Sequence, residues 1–229
     1  MNDRRAIETP VTRLSDLGHG TGRVALTFDD GPQPPWTEQI LDILEDTGTP
    51  ATFFVLGSRI HGNEPTLRRM TDLGCAVEVH AWDHIRMTGQ EPGERRADID
   101  RTRRLIRDVT AHDPTTVRPP DGHVSLDVLD AIRTAGLMPA FWSVHARDWT
   151  RPGVAAIESD VISGLDDGAI VLLHDGGGDR SQTVGALPRI IEAINDRGLR
   201  PVSLAPLPRP VDGRQPGVRA TRGERRGSA

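Results

Sequence analysis

Short apolar runs alternate with longer amphipathic ones from residue 24 to residue 204, and this alternation restricts the fold class before any single residue is considered. The strand candidates are Val24–Phe28, Ala51–Leu56, Ala76–His80, Thr116–Arg118, Ala140–Val144, Ala169–His174 and Pro201–Leu204. They are partly β-branched or aromatic and are bounded by glycine or proline. Between them lie helix candidates at Thr37–Thr47, Pro65–Leu73, Pro92–Thr110, Leu126–Ala135, Val154–Leu165 and Thr183–Arg197. Ile40, Leu41 and Leu44 share one helical stripe, as do Ile99, Ile106 and Val109. Gly48, Gly136 and Gly198 stand where helix C-termini need a left-handed residue. No internal repeat interrupts the pattern. Strands alternating with helices imply a parallel α/β architecture, either an open doubly wound sheet or a barrel.

The polar residues favour the barrel. Asp29-Asp30, His80 to His84, Arg118 to Asp121, His145 to Asp148 and His174-Asp175 all follow the C-terminal ends of strand candidates. That is the rim from which β/α barrels build their active sites. The first strand is not followed by G-x-G-x-x-G, which argues against a dinucleotide fold. Composition narrows the chemistry further. The 28 basic residues are all arginine, tyrosine is absent, and Cys75 is the only cysteine. A Schiff-base lysine, a P-loop lysine, a phenolic acid, an internal disulfide and an Fe–S cluster are therefore excluded. Catalysis must rest on Asp, Glu, His, Ser, Thr or Arg, with or without a metal.

A net charge of −5 is no footprint for nucleic acid. No run approaches the ~18 apolar residues of a membrane helix. Met1 to Arg13 is polar and has no apolar secretory segment, so the expected location is cytoplasmic. Expected domain limits are an N-terminal extension at 1–20, in which Val11 to Leu17 can pack, a catalytic domain at 21–205, and a disordered Arg/Pro/Gly-rich tail at 206–229. The oligomeric state is left open.

Two clusters carry the chemistry. In Thr27-Phe28-Asp29-Asp30-Gly31-Pro32, adjacent strand residues face opposite ways, and only a turn at the strand end lets both carboxylates serve one site. Taken alone, the segment also reads as an Asx-turn with two solvated carboxylates. His80 and His84, at i and i+4, read as one face of a helical turn, the spacing used by zinc-binding H-E-x-x-H. The glutamate of that motif is missing, so a base must come from elsewhere. Joined to a carboxylate from another strand end, the two histidines make a His₂Asp set with open positions.

At this point the chain resembles the polysaccharide deacetylases, the NodB-homology domain of carbohydrate esterase family 4. The residues that carry the resemblance are Thr27-Phe28-Asp29-Asp30-Gly31-Pro32, His80-x-x-x-His84, Arg118-Pro119-Pro120, Asp148-Trp149 and Leu172-Leu173-His174-Asp175. They fall in the family's order and span about 23 to 204. The resemblance implies a single-domain, distorted (β/α)7 barrel similar to a TIM barrel. It implies Asp30, His80 and His84 as metal ligands, usually for Zn²⁺, with other divalent transition metals possible. It implies Asp29 as the base toward a metal-bound water, Arg118 as the arginine holding that base, His174 as the acid, and Asp148 as its orienting carboxylate. Trp149 and Leu172 are implied as contacts of the acyl methyl.

Two positions depart from the family pattern. Asp121 stands where the third motif usually has tyrosine, whose backbone N–H helps bind the oxyanion. A carboxylate there must point away, pair with a cation, or serve altered chemistry. His145 replaces an aspartate three residues before Asp148-Trp149 and is a candidate substrate contact, although a loop histidine is the simpler account. His19, His61, His112 and His123 have no partner by spacing and read as surface residues. The Asp179-Arg180-Ser181 segment reads as a substrate loop or a helix cap.

The expected function is a metal-dependent hydrolase that removes an N-acetyl or other acyl group from an amino sugar or related small intracellular substrate, cleaving a carbon–nitrogen bond other than a peptide bond. The alternatives are a deacetylase of polymeric glycan (chitin, peptidoglycan or xylan), a small-amide hydrolase on the same fold, and a non-catalytic metal-binding module. The expected partner is thus a small-molecule or carbohydrate substrate, with neither nucleic acid nor membrane involved.

Overall fold

A computed structural model describes residues 10–204; the expected tail at 206–229 lies outside them. The elements run β1 (Arg23–Asp29), α1 (Trp36–Thr47), β2 (Thr52–Leu56), α2 (Glu64–Asp72), β3 (Ala76–Ala81), α3 (Pro92–Thr110), β4 (Thr116–Val117), α4 (Leu126–Thr134), β5 (Met138–Pro139), β6 (Val144–His145), α5 (Val154–Gly164), β7 (Ile170–His174), α6 (Ser181–Asp196) and β8 (Arg200–Pro201). The strands pair in parallel in the order β5-β4-β3-β2-β1-β7-β6, with β8 beside the start of β1. The sheet curls into a distorted barrel that stays open between β5 and β6.

The long strands are central because their sequences tolerate no water. β1, β2 and β3 are buried at every position but Arg23, as expected of parallel strands covered on both faces. Alternation then divides β1 between two cores. Val24, Leu26 and Phe28 pack outward against the helices, together with Ile40, Leu41 and Leu44 of α1. Ala25 faces inward with Phe54 and Ile170, and this inner cluster is completed by Val11, Leu14 and Leu204. The segment before β1 thus packs into the barrel floor, with Leu14–Leu17 forming a short 3-10 turn. The end of α1 follows its sequence signal, with Gly48 at φ 63°.

One strand expectation is corrected. Ala140–Val144 does not form a single strand; β5 ends just before it and β6 begins only at its last residue, Val144. Ala140 bridges to Val11, and the Phe141 carbonyl accepts from the Arg118 side chain. The backbone here serves the floor and the buried Arg118 rather than a continuous ladder. The described residues accordingly hold eight strands where seven were expected.

Strand register sets the site. Asp29 pairs with His174 across β1 and β7, and Val79 pairs with Val117, so His80, near the end of β3, and Arg118, just after β4, stand at the same level. Four of the expected functional residues therefore meet at one rim through backbone pairing alone.

Candidate active site

Both carboxylates of the Asp29-Asp30 pair reach the same site because the chain turns at Asp30 itself. Asp30 has φ 76°, a left-handed conformation that aspartate tolerates better than most residues. Asp29 is the last residue of β1 and points into the barrel mouth, and the reversal at Asp30 brings the next side chain round to meet it. The backbone around Asp30 leaves no room for side chains opposite. A Cβ on Gly176 would strike the Asp30 carbonyl, and one on Gly177 would strike its Oδ2. The glycine run 176–178 is thus a close-approach surface against this aspartate.

Asp30 Oδ1 lies 3.3 Å from Nε2 of His80 and 3.3 Å from Nε2 of His84. The ligating atoms of the three residues all fall within 4.8 Å of one another. The expected helical turn does not exist: His80 belongs to β3 and His84 to the loop beyond it, with Ala81 at φ 112° between them. A strand end followed by a left-handed kink produces the convergence that the i, i+4 spacing was read as producing. The His80 Nδ1 donates to the Arg118 carbonyl at 2.7 Å, and since a carbonyl can only accept, Nε2 is left with its lone pair toward Asp30. Asp30 Oδ1 is buried and has no hydrogen-bond partner. A carboxylate oxygen left bare between two imidazole nitrogens matches the donor set of a divalent transition metal such as Zn²⁺. Burial disfavours the ionised Asp30 carboxylate, but the adjacent imidazoles of His80, His174 and His84, when protonated, outweigh it and hold the carboxyl well below the usual range.

Asp29 stands beside this triad without sharing its role. Its Oδ1 accepts from Nη1 of Arg118 at 2.7 Å, while Oδ2 is 3.9 Å from His80 Nε2. Arg118 is fully buried, and its guanidinium also donates to Thr27 Oγ1 and to the Phe141 carbonyl, lying 4.1 Å over the Phe54 ring. Burial pushes the Arg118 pKa down, against the opposing charge of Asp29. Across the cleft, His174 Nδ1 is 2.7 Å from Asp148 Oδ1, which directs Nε2 outward. Asp148 is itself fixed by the His174 backbone N–H and by Thr183 Oγ1, both on Oδ2. Burial would lower the His174 pKa; the hydrogen bond and charge of Asp148, with Asp29 and Asp30 behind them, raise it overall.

The remaining expected contacts separate. Leu172 and the half-exposed Trp149 line the cleft, with the Trp149 ring edge-on to His174 at 5.3 Å. Asp121 also lines it, but its carboxylate accepts from Arg86 Nε at 2.6 Å, and that hydrogen bond, against partial burial, helps lower its pKa. The pairing with a cation anticipated for this position is the one found. His145 is exposed beside Trp149, with ring centroids 6.1 Å apart, and does not line the cleft.

Several residues have a setting that the sequence did not predict. His112 is buried, not on the surface; its Nε2 meets Glu78 Oε1 at 2.9 Å, and Glu78 Oε2 accepts from the backbone of Thr115 and Thr116. A glutamate two residues before His80 on a strand was the available signal, because it must share the inward face. Asp175 is fully buried against Gly31, with Thr37 Oγ1 on Oδ2, and burial pushes its carboxyl up to about 7. Arg59, Gln33 and Trp142 also bear on the cleft, whose volume is about 570 Å³.

Comparison with known proteins agrees with this geometry. The family model described as polysaccharide deacetylase matches residues 18–140. A chitooligosaccharide deacetylase of Bradyrhizobium is 41% identical over 82% of this chain and 90% of its own. A peptidoglycan-N-acetylglucosamine deacetylase of Bacillus cereus is 36% identical over 80% of this chain and 87% of its own. Among solved structures, a family 4 carbohydrate esterase from Streptomyces lividans in complex with acetate superposes with TM-score 0.75 at 31% identity, covering 81% of this chain and 94% of the other. A family 4 pseudoenzyme from Bacillus anthracis superposes with TM-score 0.74 at 26% identity, covering 80% of this chain and 64% of the other.

Proposed function

The chain belongs to the polysaccharide deacetylase family, and from that premise we propose that it is a metal-dependent N-deacetylase acting on oligomers or polymers that contain N-acetylglucosamine. The observation that carries the proposal is the coexistence, in one cleft, of the bare Asp30 oxygen between His80 and His84, the Arg118-held Asp29, and the Asp148-held His174. The expectation of a small intracellular substrate yields to the glycan reading, because the relatives compared above are named for chito-oligosaccharide and peptidoglycan deacetylation. The non-catalytic alternative is disfavoured by the complete residue set.

Asp30, His80 and His84 would hold a divalent cation, which when bound would supply Lewis-acid polarisation and make water easier to deprotonate near neutrality. The protein residues do the proton work. Asp29 accepts the proton of the attacking water, held in place by Arg118. The developing oxyanion faces the backbone N–H of Asp121, whose carboxylate is kept away by Arg86. An amine leaves readily only if protonated, and His174 delivers that proton from Nε2 as the C–N bond breaks. Leu172 and Trp149 enclose the acetyl methyl. The products are acetate and the free amino sugar.

Acetate release from N-acetyl-chito-oligosaccharides by Zn²⁺-loaded protein tests this reading, and a kcat/KM that rises with chain length supports an oligomeric substrate. A second test concerns the acid. The carboxylate beside His174 keeps its imidazolium protonated to higher pH than an isolated histidine. Removing that charge in Asp148→Asn lowers the His174 pKa, so the alkaline limb of the kcat–pH profile moves to lower pH and kcat falls at pH 8. An unmoved limb contradicts the assignment.

A further inference from the structure

We propose that Arg59 and Arg180 form a recognition site for an acidic group, carboxylate or phosphate, on the substrate glycan, so that the preferred substrate is an anionic N-acetylated saccharide. This deepens the deacetylase reading above and rests on it for the identity of the reaction.

Both arginines line the cleft and are bound to one small framework. Arg59, at the end of the turn Gly57–Arg59, donates from Nη1 to Gln33 Oε1 at 2.7 Å. The same Oε1 accepts from the Gly177 N–H, and Gln33 Nε2 donates to the Gly178 carbonyl. Arg180 donates from Nε to the Gly176 carbonyl at 2.6 Å, and its Nη2 lies beside Gly177. Gln33 and the glycine turn therefore hold both guanidinium groups at the edge nearest Asp30.

Each of these protein partners is neutral. Among the described residues no carboxylate lies within 4 Å of either guanidinium. The neighbouring arginines differ: Arg86 has Asp121, Arg118 has Asp29, and Arg151 has Asp179. The carboxylates deeper in the cleft do not pair with them: Asp29 is held by Arg118, and Asp30 faces the two histidines through Oδ1, while its Oδ2 lies against Gly177 on the side of Arg180 Nη2 without forming an ion pair with it. Arg180 is only 4% exposed. A guanidinium that buried normally has an anionic partner, since desolvating an unpaired charge is costly. Its planar fork is suited to carboxylate or phosphate oxygens. A neutral glycan offers no such group; an acidic one supplies the missing charge.

The experiment compares three N-acetylated oligomers of equal length: the neutral chito-oligosaccharide, one carrying a sugar carboxylate, and one carrying a sugar 6-phosphate. At low ionic strength kcat/KM for at least one acidic oligomer should exceed that of the neutral one by about tenfold or more, as one charge-assisted contact allows. The acidic arm that shows the preference identifies the group. In Arg180→Gln and in Arg59→Gln, each checked for an unchanged melting profile, the acidic-to-neutral ratio should fall toward one, and Arg180→Lys should restore part of it. Calorimetric binding of the same oligomers to the Zn²⁺-loaded protein gives the ratio independently of turnover. Turnover of neutral and acidic oligomers at equal kcat/KM, or a preference that survives both glutamine variants, overturns the anion site and leaves the deacetylase reading standing. Absence of turnover with all three overturns the deacetylase reading, and the binding ratio then decides the anion site by itself.

Discussion

Asp29→Asn is expected to lower kcat/KM for acetate release by about 10²–10⁴-fold, the usual contribution of a positioned general base, while zinc content stays at one ion per chain. The reason is the division of labour within the Asp29-Asp30 pair. Asp30 turns at φ 76° to face His80 and His84, whereas Asp29 stays on the strand, anchored through Oδ1 to Arg118 with Oδ2 toward the site. Asparagine preserves the shape and leaves the three metal ligands intact, but it cannot take a proton from water. Acetate release and metal content measured on the same preparation separate the two roles. Wild-type turnover in the variant contradicts the base assignment, and loss of zinc contradicts the assignment of Asp29 outside the ligand set.

Arg118→Met is expected to have the largest effect on stability. Arg118 is fully buried and Asp29 is only 4% exposed, so deleting the cation leaves a carboxylate in the barrel mouth without its partner. Breaking a buried pair from one side costs about 3–5 kcal/mol. For a chain of this size each kcal/mol lowers Tm by roughly 2–4 °C, which makes the loss about 10 °C. The Phe141 carbonyl and Thr27 hydroxyl also lose a donor. The double variant Asp29→Asn/Arg118→Met removes the stranded charge and should recover a large part of the loss. Melting measured in chelator, so that zinc does not substitute for the guanidinium, checks this. Simple additivity of the two single variants would show that the pair is not coupled.

The strand-end clusters were legible because parallel α/β architecture places strand C-termini on one rim. Asp29, His80, Arg118 and His174 needed only that rule and the register of β1 with β7 and of β3 with β4. The fold class followed from the same alternation. What sequence periodicity failed to give was local backbone direction. The His80–His84 convergence comes from a kink at Ala81, not from helical spacing, and the turn that brings both carboxylates to one site is made at Asp30 itself. The split of Ala140–Val144 arises from pairing with Val11, far away in sequence. Residues whose role depends on a second loop were the hardest to see. Arg59 and Gln33 carry no motif, and Arg180, whose segment reads as a substrate loop or a helix cap, meets them only through the folded glycine turn. His112 was misplaced because its partner, Glu78, is 34 residues away.

Acetate release from an N-acetyl-chito-oligosaccharide, followed through chelation and zinc restoration, tests the central claim most directly. The account predicts turnover by the Zn²⁺-loaded protein, its loss in chelator, its return when zinc is added back, and its near-absence in Asp29→Asn throughout. Activity that persists in chelator, or zinc-loaded protein that releases no acetate from any N-acetylglucosamine oligomer, would contradict it.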